Sequence, residues 1–294
     1  MPKRCCPTCG TSTPNGKTSG TRSTRGGRPV PEQRLVRTFD GAVEVPVRVT
    51  GEGPPLLYLH GTFGLVEDEF IDALAESATV YAPSPPGFEG SEGAEFVYED
   101  VTEITLHHDD LLTALGLDGP VDVVGHSFGA FLAQEIAAFY PARVRRLALI
   151  SALGLWLEEA PQPDLFGLTP GTLARTIFAD IESPAARRMF TPPADREEAR
   201  LWNRARRRGL IGAAKYLWPL PDKGFARRAY RVRAPSLLLW GSEDAVVPAG
   251  PYVDAYRALL PDATAEVLPG AGHMLVEEQP AEAARAVLSH LRGA

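Results

Sequence analysis

The pentapeptide Gly125-His126-Ser127-Phe128-Gly129 matches the pattern Gly-X-Ser-X-Gly, the nucleophile elbow, in which a serine lies on a sharp turn between a strand and a helix. The flanking residues have the required character. The mostly apolar run 121–124 predicts a buried strand, and 128–140 carries apolar residues at helical spacing before Pro141. Glycines suit such a turn because side chains at their positions would collide with neighbouring backbone. The sequence therefore predicts that Ser127 lies where a strand ends and a helix begins.

A serine hydroxyl becomes an effective nucleophile only when a base lies within hydrogen-bond distance and an acid orients that base. Two loops further along the chain offer these groups. The predicted strand 236–240 leads into a turn that contains Glu243 and Asp244, and the predicted strand 265–268 leads into a glycine-rich loop that contains His273. We therefore predict that Ser127, His273 and one of the two acids form a catalytic triad.

Acyl transfer also needs N–H donors that meet the negative charge on the carbonyl oxygen, an arrangement called an oxyanion hole. The backbone of Phe128, directly after the serine, is expected to supply one donor. The apolar strand 56–59 runs into the loop His60-Gly61-Thr62-Phe63-Gly64. We assign the second donor to the backbone of Thr62, with Phe63 as the alternative. His60 is expected to order this loop through hydrogen bonds.

In their order along the chain, these motifs resemble the α/β-hydrolase superfamily, in the branch of serine hydrolases with an inserted lid. The resemblance covers about residues 36–291 and rests on segments 60–64, 86–91, 125–129, 241–248 and 272–273. It implies an α/β fold with a mostly parallel eight-stranded sheet, helices on both faces and an inserted helical lid.

The resemblance also indicates which acid completes the triad and which subgroups of the superfamily do not apply. The superfamily orders its triad as serine, acid and histidine, and the family position of the acid falls on Asp244, which is favoured over Glu243. Serine stands at 127 where haloalkane dehalogenases and epoxide hydrolases use aspartate, so the resemblance does not extend to those two subgroups.

The alternation of strands and helices predicts one α/β core, made of residues 34–154 and 234–294. Between these two segments, residues 155–233 have many prolines and no strand pattern, which indicates a helical lid insertion. Open parallel sheets bind ligands at the carboxyl ends of their strands, where the motif loops meet. Lid and loop side chains are therefore expected to form an apolar pocket, and we assign to it Phe63, Trp156, Trp202, Trp218 and Met274.

Residues 1–33 are rich in Ser, Thr, Gly, Pro and Arg, and their six basic residues and one acidic residue give a net charge of +5. Such a segment cannot bury enough surface to offset its ordering entropy, so a disordered basic tail is predicted. All three cysteines, Cys5, Cys6 and Cys9, lie in this segment. They resemble half of a zinc site, which needs four ligands. We interpret them as part of a tail without a role, with a zinc knuckle completed by a second chain as the alternative.

The charge and hydropathy of the whole chain indicate neither a nucleic-acid partner nor a membrane protein. The net charge of −7 gives no indication of a nucleic-acid partner. There is no apolar run of about 18 residues and no apolar N-terminal region, so neither a membrane span nor a classical secretory signal is predicted. A cytoplasmic location is expected by default. A binding role for the basic tail, with nucleic acid or a protein, is the alternative.

Two further clusters of polar residues invite interpretation. His107 and His108 occupy adjacent positions of one predicted helix, so they point in different directions and cannot bind one metal ion together. A solvated helix face and no metal site are expected there. The arginines 204 and 206–208 end at Gly209 and are expected to form a solvated last helical turn, favoured by the helix dipole. A site for a carboxylate-bearing substrate is the alternative.

The motifs together predict a serine hydrolase that cleaves an ester-type bond of a small to medium apolar substrate through an acyl-enzyme. Carboxylesterase activity on a small molecule is expected, and no cofactor or metal is required. On the same triad, the alternatives are carbon–carbon bond hydrolysis of ring-cleavage diketones, lactone or thioester cleavage, and perhydrolysis. A noncatalytic ligand-binding protein is disfavoured because all three triad residues are present.

Overall fold

The computed structural model describes residues 24–25, 28–29, 31–66, 68–220 and 222–293. The chain divides into two compact units, residues 1–30 and 31–294. In the first unit, Thr24–Arg25 and Arg28–Pro29 pair as two short antiparallel strands. Most of the predicted basic tail, including Cys5, Cys6 and Cys9, lies outside the described residues.

The second unit is built on an eight-stranded sheet, in agreement with the expected α/β fold. Its strands are β1 (Glu32–Thr38), β2 (Val43–Thr50), β3 (Pro55–Leu59), β4 (Thr79–Pro83), β5 (Val121–His126), β6 (Val144–Ile150), β7 (Ser236–Gly241) and β8 (Thr264–Leu268). The order across the sheet is β8-β7-β6-β5-β3-β4-β2-β1. β2 pairs antiparallel with β1 and with β4, and all other neighbours are parallel. β1 begins at Glu32, so the predicted end of the tail at residue 33 is two residues too late.

The turn at Asp40-Gly41 joins β1 to β2, which confirms the hairpin expected at this Asp-Gly pair. Asp40 and Gly41 both have positive φ values, 50° and 84°. Glycine adopts such values without steric cost, and aspartate tolerates them better than most residues. The N–H of Gly41 closes the turn by donating to the carbonyl oxygen of Thr38 at 3.0 Å.

Helices connect the strands and cover the sheet. The described α-helices are α1 (Asp68–Ala75), α2 (Val101–Ala114), α3 (Phe128–Phe139), α4 (Pro170–Ile177), α5 (Pro184–Phe190), α6 (Arg196–Leu217), α7 (Phe225–Arg228), α8 (Ala249–Leu259), α9 (Leu275–Glu278) and α10 (Pro280–Arg292). Short 3-10 helices cover Ala94–Phe96, Pro141–Arg143, Leu165–Gly167 and Ala229–Arg231. In the part of the chain that the structure describes, no helix has the length and apolar character needed to cross a membrane.

Both faces of the sheet are buried. On one face, α1 and α10 pack Phe70, Leu74 and Val287 into a core shared with the strands. On the other face, α2 and α3 contribute Leu111 and Ile136 to a second, larger core. Burial on both faces explains why the central strands β5 and β7 have no exposed residue and lack the alternation of half-buried strands.

The segment between β6 and β7 is helical, as predicted for residues 155–233. Across 151–220 and 222–235 the structure has helices α4 to α7 and no strand. The longest of them, α6, continues through Gly209 to Leu217, so the predicted helix end at Gly209 is wrong. This glycine serves a close approach instead, because a Cβ placed on it would lie 2.4 Å from the carbonyl oxygen of Thr62. Helix α6 therefore lies directly against the loop that follows β3.

The predicted solvated face of α2 is also wrong, because His107 and His108 are both buried. His107 Nδ1 lies 2.9 Å from the hydroxyl of Tyr98 and 3.2 Å from that of Thr38, and His108 Nδ1 lies 2.6 Å from the carbonyl oxygen of Ile104. Burial lowers the pKa of His108 to about 4, and burial beside His108 holds the pKa of His107 well below its usual value. These imidazoles are neutral core groups. Among the described residues, no group of three or more His, Cys, Asp and Glu side chains could hold a metal ion.

Candidate active site

Ser127 occupies the predicted sharp turn between β5 and α3, with φ 55° and ψ −114°. The flanking glycines allow the close approach that this backbone requires. A Cβ on Gly125 would lie 2.4 Å from the carbonyl oxygen of Gly129, and one on Gly129 would lie 1.9 Å from that of Leu59. The N–H of Ser127 donates to the carbonyl oxygen of Ile150 at 2.9 Å, which ties the turn to the neighbouring strand. The predicted strand-to-helix turn is confirmed.

A continuous line of hydrogen bonds joins the serine to the predicted histidine and acid. His273 Nε2 lies 2.8 Å from Ser127 Oγ, and His273 Nδ1 lies 3.0 Å from Asp244 Oδ2. All three side chains are buried. A carboxylate accepts a hydrogen bond from the N–H at Nδ1, which leaves the Nε2 lone pair directed at the serine hydroxyl. The structure thus brings together three residues that are far apart along the chain.

The backbone of the turn after β7 holds the acid in place. Asp244 Oδ1 accepts hydrogen bonds from the N–H groups of Val246 and Val247, both at 2.9 Å. The neighbouring Glu243 has an exposed side chain, and its N–H donates to the carbonyl oxygen of Ala271 at 2.9 Å. The structure therefore places Asp244, and not Glu243, against the imidazole.

Two side chains, those of His126 and Glu278, support the loop that carries His273. His126 Nε2 lies 2.9 Å from the carbonyl oxygen of His273, so the histidine of the elbow supports the other histidine's backbone. The carboxylate of Glu278 accepts the N–H of Gly272 at 2.7 Å and that of Ala179 at 2.8 Å. Burial raises the pKa of Glu278, and these backbone donors act in the opposite direction. No sequence pattern marked Glu278, because its partner Ala179 lies 99 residues away.

The same loop is joined to the segment after α4. The N–H of Met274 donates to the carbonyl oxygen of Ile177 at 3.0 Å. A Cβ on Gly272 would lie 2.6 Å from the backbone nitrogen of Ala179, so the two backbones touch. The residues on both sides of His273 therefore contact the helical segment between β6 and β7.

The loop after β3 lies beside the nucleophile. A Cβ on Gly61 would lie 3.5 Å from the Cβ of Ser127, and both Thr62 and Phe63 are buried. Phe128 is the first residue of α3, and N–H groups at that position of a helix have no intrahelical acceptor. The residues predicted to supply the oxyanion hole thus flank Ser127.

Aromatic contacts fix the surroundings of this loop. The ring of Phe128 stacks between those of Phe88, at 5.7 Å, and Tyr216, at 6.3 Å. His60 Nδ1 lies 2.8 Å from the carbonyl oxygen of Gly61, and its ring meets Phe88 edge-on at 4.9 Å. His60 therefore contacts the loop as expected.

A cavity of about 850 Å³ opens beside the same loop, at Phe63 and Gly64. Its wall is largely apolar and includes Phe63, Phe88, Met189, Trp202 and Val276. Two of the five predicted pocket residues, Phe63 and Trp202, therefore line it. Ser127 does not line the cavity and is 3% exposed.

The other three predicted pocket residues do not line this cavity. Trp218 follows the last residue of α6 in an extended conformation and is 58% exposed. Trp156 is half-buried, and its Nε1 donates to Glu158 at 2.9 Å. Met274 is buried next to His273. Aromatic composition alone could not separate residues that face the cavity from residues that face solvent or the core.

Known proteins resemble this chain in sequence and in fold. Residues 56–286 match the model of the family described as "Alpha/beta hydrolase family". The chain is 27% identical over 261 residues to the pimeloyl-(acyl-carrier protein) methyl ester esterase of Chromobacterium violaceum, covering 83% of this chain and 97% of that protein. It is 26% identical over 271 residues to the 2-hydroxy-6-oxo-6-(2'-aminophenyl)hexa-2,4-dienoic acid hydrolase of Metapseudomonas resinovorans, covering 85% and 88%.

Among solved structures, the naproxen esterase (carboxylesterase NP) of Bacillus subtilis matches with a TM-score of 0.69. The match covers 89% of this chain and 92% of that one, at 19% identity. At this identity the structural likeness shows a shared fold.

Proposed function

The chain belongs to the alpha/beta hydrolase family and is a hydrolase, and from this premise we propose that it is a serine esterase that uses Ser127, His273 and Asp244. The observation that carries the proposal is the unbroken hydrogen-bonded line from Ser127 Oγ to His273 at 2.8 Å and on to Asp244 at 3.0 Å. A buried nucleophile, base and acid in this geometry perform acyl transfer on several unrelated folds.

The reaction proceeds in two halves. Ser127 Oγ attacks the ester carbonyl carbon while His273 Nε2 takes the hydroxyl proton, and Asp244 stabilises the resulting imidazolium. His273 then gives the proton to the alcohol oxygen as the carbon–oxygen bond breaks, which leaves an acyl group on Ser127. Water, deprotonated by His273, attacks the acyl carbon. His273 then returns the proton to Ser127 Oγ as the bond between Oγ and the acyl carbon breaks and the acid leaves.

The negative charge that develops on the carbonyl oxygen is met by the backbone N–H groups of Phe128 and Thr62. The position of Phe128 at the start of α3 and that of the 61–63 loop beside Ser127 support this assignment. Such preorganised donors contribute a large part of the rate enhancement in acyl transfer. If the Thr62 N–H proves unnecessary, Phe63 is the next donor along the loop.

Residues 155–233 act as a lid, and the substrate is a small to medium apolar ester. The close contact between Gly209 on α6 and Thr62 supports the lid, because it lays a helix of this segment against the loop beside Ser127. The largely apolar wall of the 850 Å³ cavity supports the substrate class.

Carbon–carbon bond hydrolysis is the second candidate. The hydrolase of Metapseudomonas resinovorans, 26% identical, acts according to its name on a hexadienoic acid. Liquid chromatography with mass spectrometry on a ring-cleavage diketone substrate separates the candidates, because only a carbon–carbon hydrolase releases the two acid fragments.

Substitution of the nucleophile tests the proposal. We expect Ser127→Ala to lower kcat/KM for p-nitrophenyl butyrate by about 10⁴-fold or more, since loss of a triad member has effects of this size. A fluorophosphonate probe should label wild type and not the variant. Ser151→Ala is the matched control, because Ser151 is also buried and has a positive φ of 44°, but lies outside the hydrogen-bonded line.

Labelling that persists in Ser127→Ala, or turnover within tenfold of wild type, would overturn the assignment. Circular dichroism and thermal melting of both variants establish that the fold is intact. Loss of labelling in Ser151→Ala alone would point to a different nucleophile.

A further inference from the structure

Arg206 lies on α6, and its guanidinium is enclosed by three aromatic rings. Its Cζ atom is 4.3 Å from the ring centre of Phe190, 4.7 Å from that of Trp202 and 5.4 Å from that of Phe63. One of its terminal nitrogens donates to the carbonyl oxygen of Met189. Burial lowers the pKa of Arg206 to about 10, so the group is still cationic at neutral pH. The three rings fix the orientation of the guanidinium plane and shield part of the guanidinium from water.

This cation lines the 850 Å³ cavity without a carboxylate partner. Two other arginines on the wall are paired, Arg48 with Asp72 at 3.5 Å and Arg188 with Glu277 at 3.4 Å. Among the described residues, no Asp or Glu oxygen lies within 4.0 Å of a side-chain nitrogen of Arg206. An arginine has five N–H donors in a fixed fork, and one carbonyl oxygen satisfies only part of them.

Arg206 lies next to the loop that is beside Ser127. Phe63, which contacts the guanidinium, belongs to the loop beside Ser127. Gly209, one turn further along α6, touches Thr62 of the same loop. A substrate whose carbonyl group reached the oxyanion hole could therefore extend into the cavity toward Arg206.

We propose that Arg206 binds a carboxylate that the substrate carries at a distance from the ester bond. The natural substrate is then an ester whose chain is apolar and whose far end carries a free carboxylate, and an ester of the same length without that carboxylate is a poorer substrate. The inference rests on the proposed esterase function and names its substrate class. A planar guanidinium binds a carboxylate through two parallel N–H bonds, which a low-dielectric setting strengthens. Glu69, Glu89 and Glu277 also line the cavity and disfavour a ligand of higher negative charge, such as a phosphate.

Two esters of equal length test the proposal. Mono-p-nitrophenyl adipate ends in a carboxylate, and p-nitrophenyl hexanoate ends in a methyl group. We expect wild type to have the higher kcat/KM for the adipate ester. In Arg206→Met the ratio of the two kcat/KM values should fall about 10- to 100-fold, the effect of a charge-assisted hydrogen bond. Arg206→Lys should restore part of the ratio, because it keeps the charge without the fork.

Arg207→Met is the matched control. Arg207 is the next residue of the same helix, is exposed and is not on the cavity wall, so its loss should leave the ratio unchanged. A wild-type ratio at or below one would overturn the subsite, and so would an Arg206→Met ratio equal to that of wild type.

A binding measurement on the wild-type protein tests the carboxylate site separately from the esterase proposal. It needs no variant, so a variant that fails to fold cannot affect the result. Calorimetric titration of wild type with hexanoate and with hexanamide compares a carboxylate with a neutral group of the same size. Tighter binding of hexanoate is expected, and equal binding would refute the subsite. Failure to hydrolyse either ester, together with selective hexanoate binding, would instead refute the esterase function and leave the carboxylate site standing.

Discussion

The carboxylate of Glu278 is expected to position the catalytic histidine loop, and Glu278→Gln tests this role. Each oxygen of the carboxylate accepts one backbone N–H, from Gly272 at 2.7 Å and from Ala179 at 2.8 Å. Gly272 precedes His273, whereas Ala179 lies just after α4 in the proposed lid. One side chain therefore connects the base of the triad to the segment that covers it.

The hydrogen bonds of Glu278 determine how much kcat should fall in Glu278→Gln. Glutamine has nearly the shape of glutamate, but one of its two terminal atoms is an NH2 group that cannot accept. One of the two N–H groups would lose its acceptor and face another donor. Loss of a hydrogen bond to a charged acceptor costs about 1.5–3 kcal/mol. If the whole of this free energy had served to position His273 for catalysis, its loss would lower kcat about 10- to 100-fold. KM should change little, because Glu278 does not line the cavity.

Three measurements decide whether the carboxylate positions His273 or only stabilises the fold. Urea unfolding gives the loss of stability, turnover of p-nitrophenyl butyrate gives kcat and KM, and the rate of fluorophosphonate labelling reports the reactivity of Ser127. Glu282→Gln, at an exposed position in the first turn of α10, is the matched control. A Glu278→Gln enzyme that loses stability but keeps its kcat and its labelling rate would refute the positioning role.

Two further predictions concern stability. Because burial lowers the pKa of His108 to about 4 and that of His107 below 6.5, the unfolded chain binds more protons than the folded one between pH 6.5 and about 4. The free energy of unfolding should therefore fall as the pH drops through this window, by about 3 kcal/mol for His108. Urea titrations at pH 7 and pH 4.5 measure this loss, and equal acid sensitivity of His108→Leu would contradict the reasoning. Gly129→Ala should destabilise the fold by about 3 kcal/mol or more, since the new Cβ would lie 1.9 Å from the backbone oxygen of Leu59. Gly119→Ala, with open space around its Cβ, should melt like wild type, and a similar loss in both variants would refute the steric argument.

The triad could be predicted from the sequence because each of its residues follows a strand. Strands that are buried on both faces appear as continuous apolar runs, and the turns after them are marked by glycine, proline and acidic residues. Parallel strands direct their carboxyl ends to one edge, so Ser127, Asp244 and His273 had to converge there once the strands were placed. Strand positions therefore contained most of the information about the site.

The features that could not be predicted depend on contacts between segments that are distant in the sequence. Gly209 looked like the end of a helix, but it is the point where α6 touches Thr62. The sequence predicted His107 and His108 on a solvated helix face, yet both are buried, and Thr38 of β1 contacts His107. The partner of Glu278 lies in another part of the chain. Local composition describes each segment by itself and contains no information about which segments meet.

The helical segment between β6 and β7 contacts three parts of the proposed site. Ile177 and Ala179 hold the loop of His273, Gly209 lies against the oxyanion loop, and Arg206 faces the cavity. Movement of this segment away from the core would break these contacts together. Under the proposed function, the positions of His273 and of the 61–63 loop would then depend on this segment staying in place. In an open site, the imidazole of His273 and the oxyanion loop would lack these contacts. We therefore expect the triad and the oxyanion donors to be correctly placed only when the proposed lid is closed.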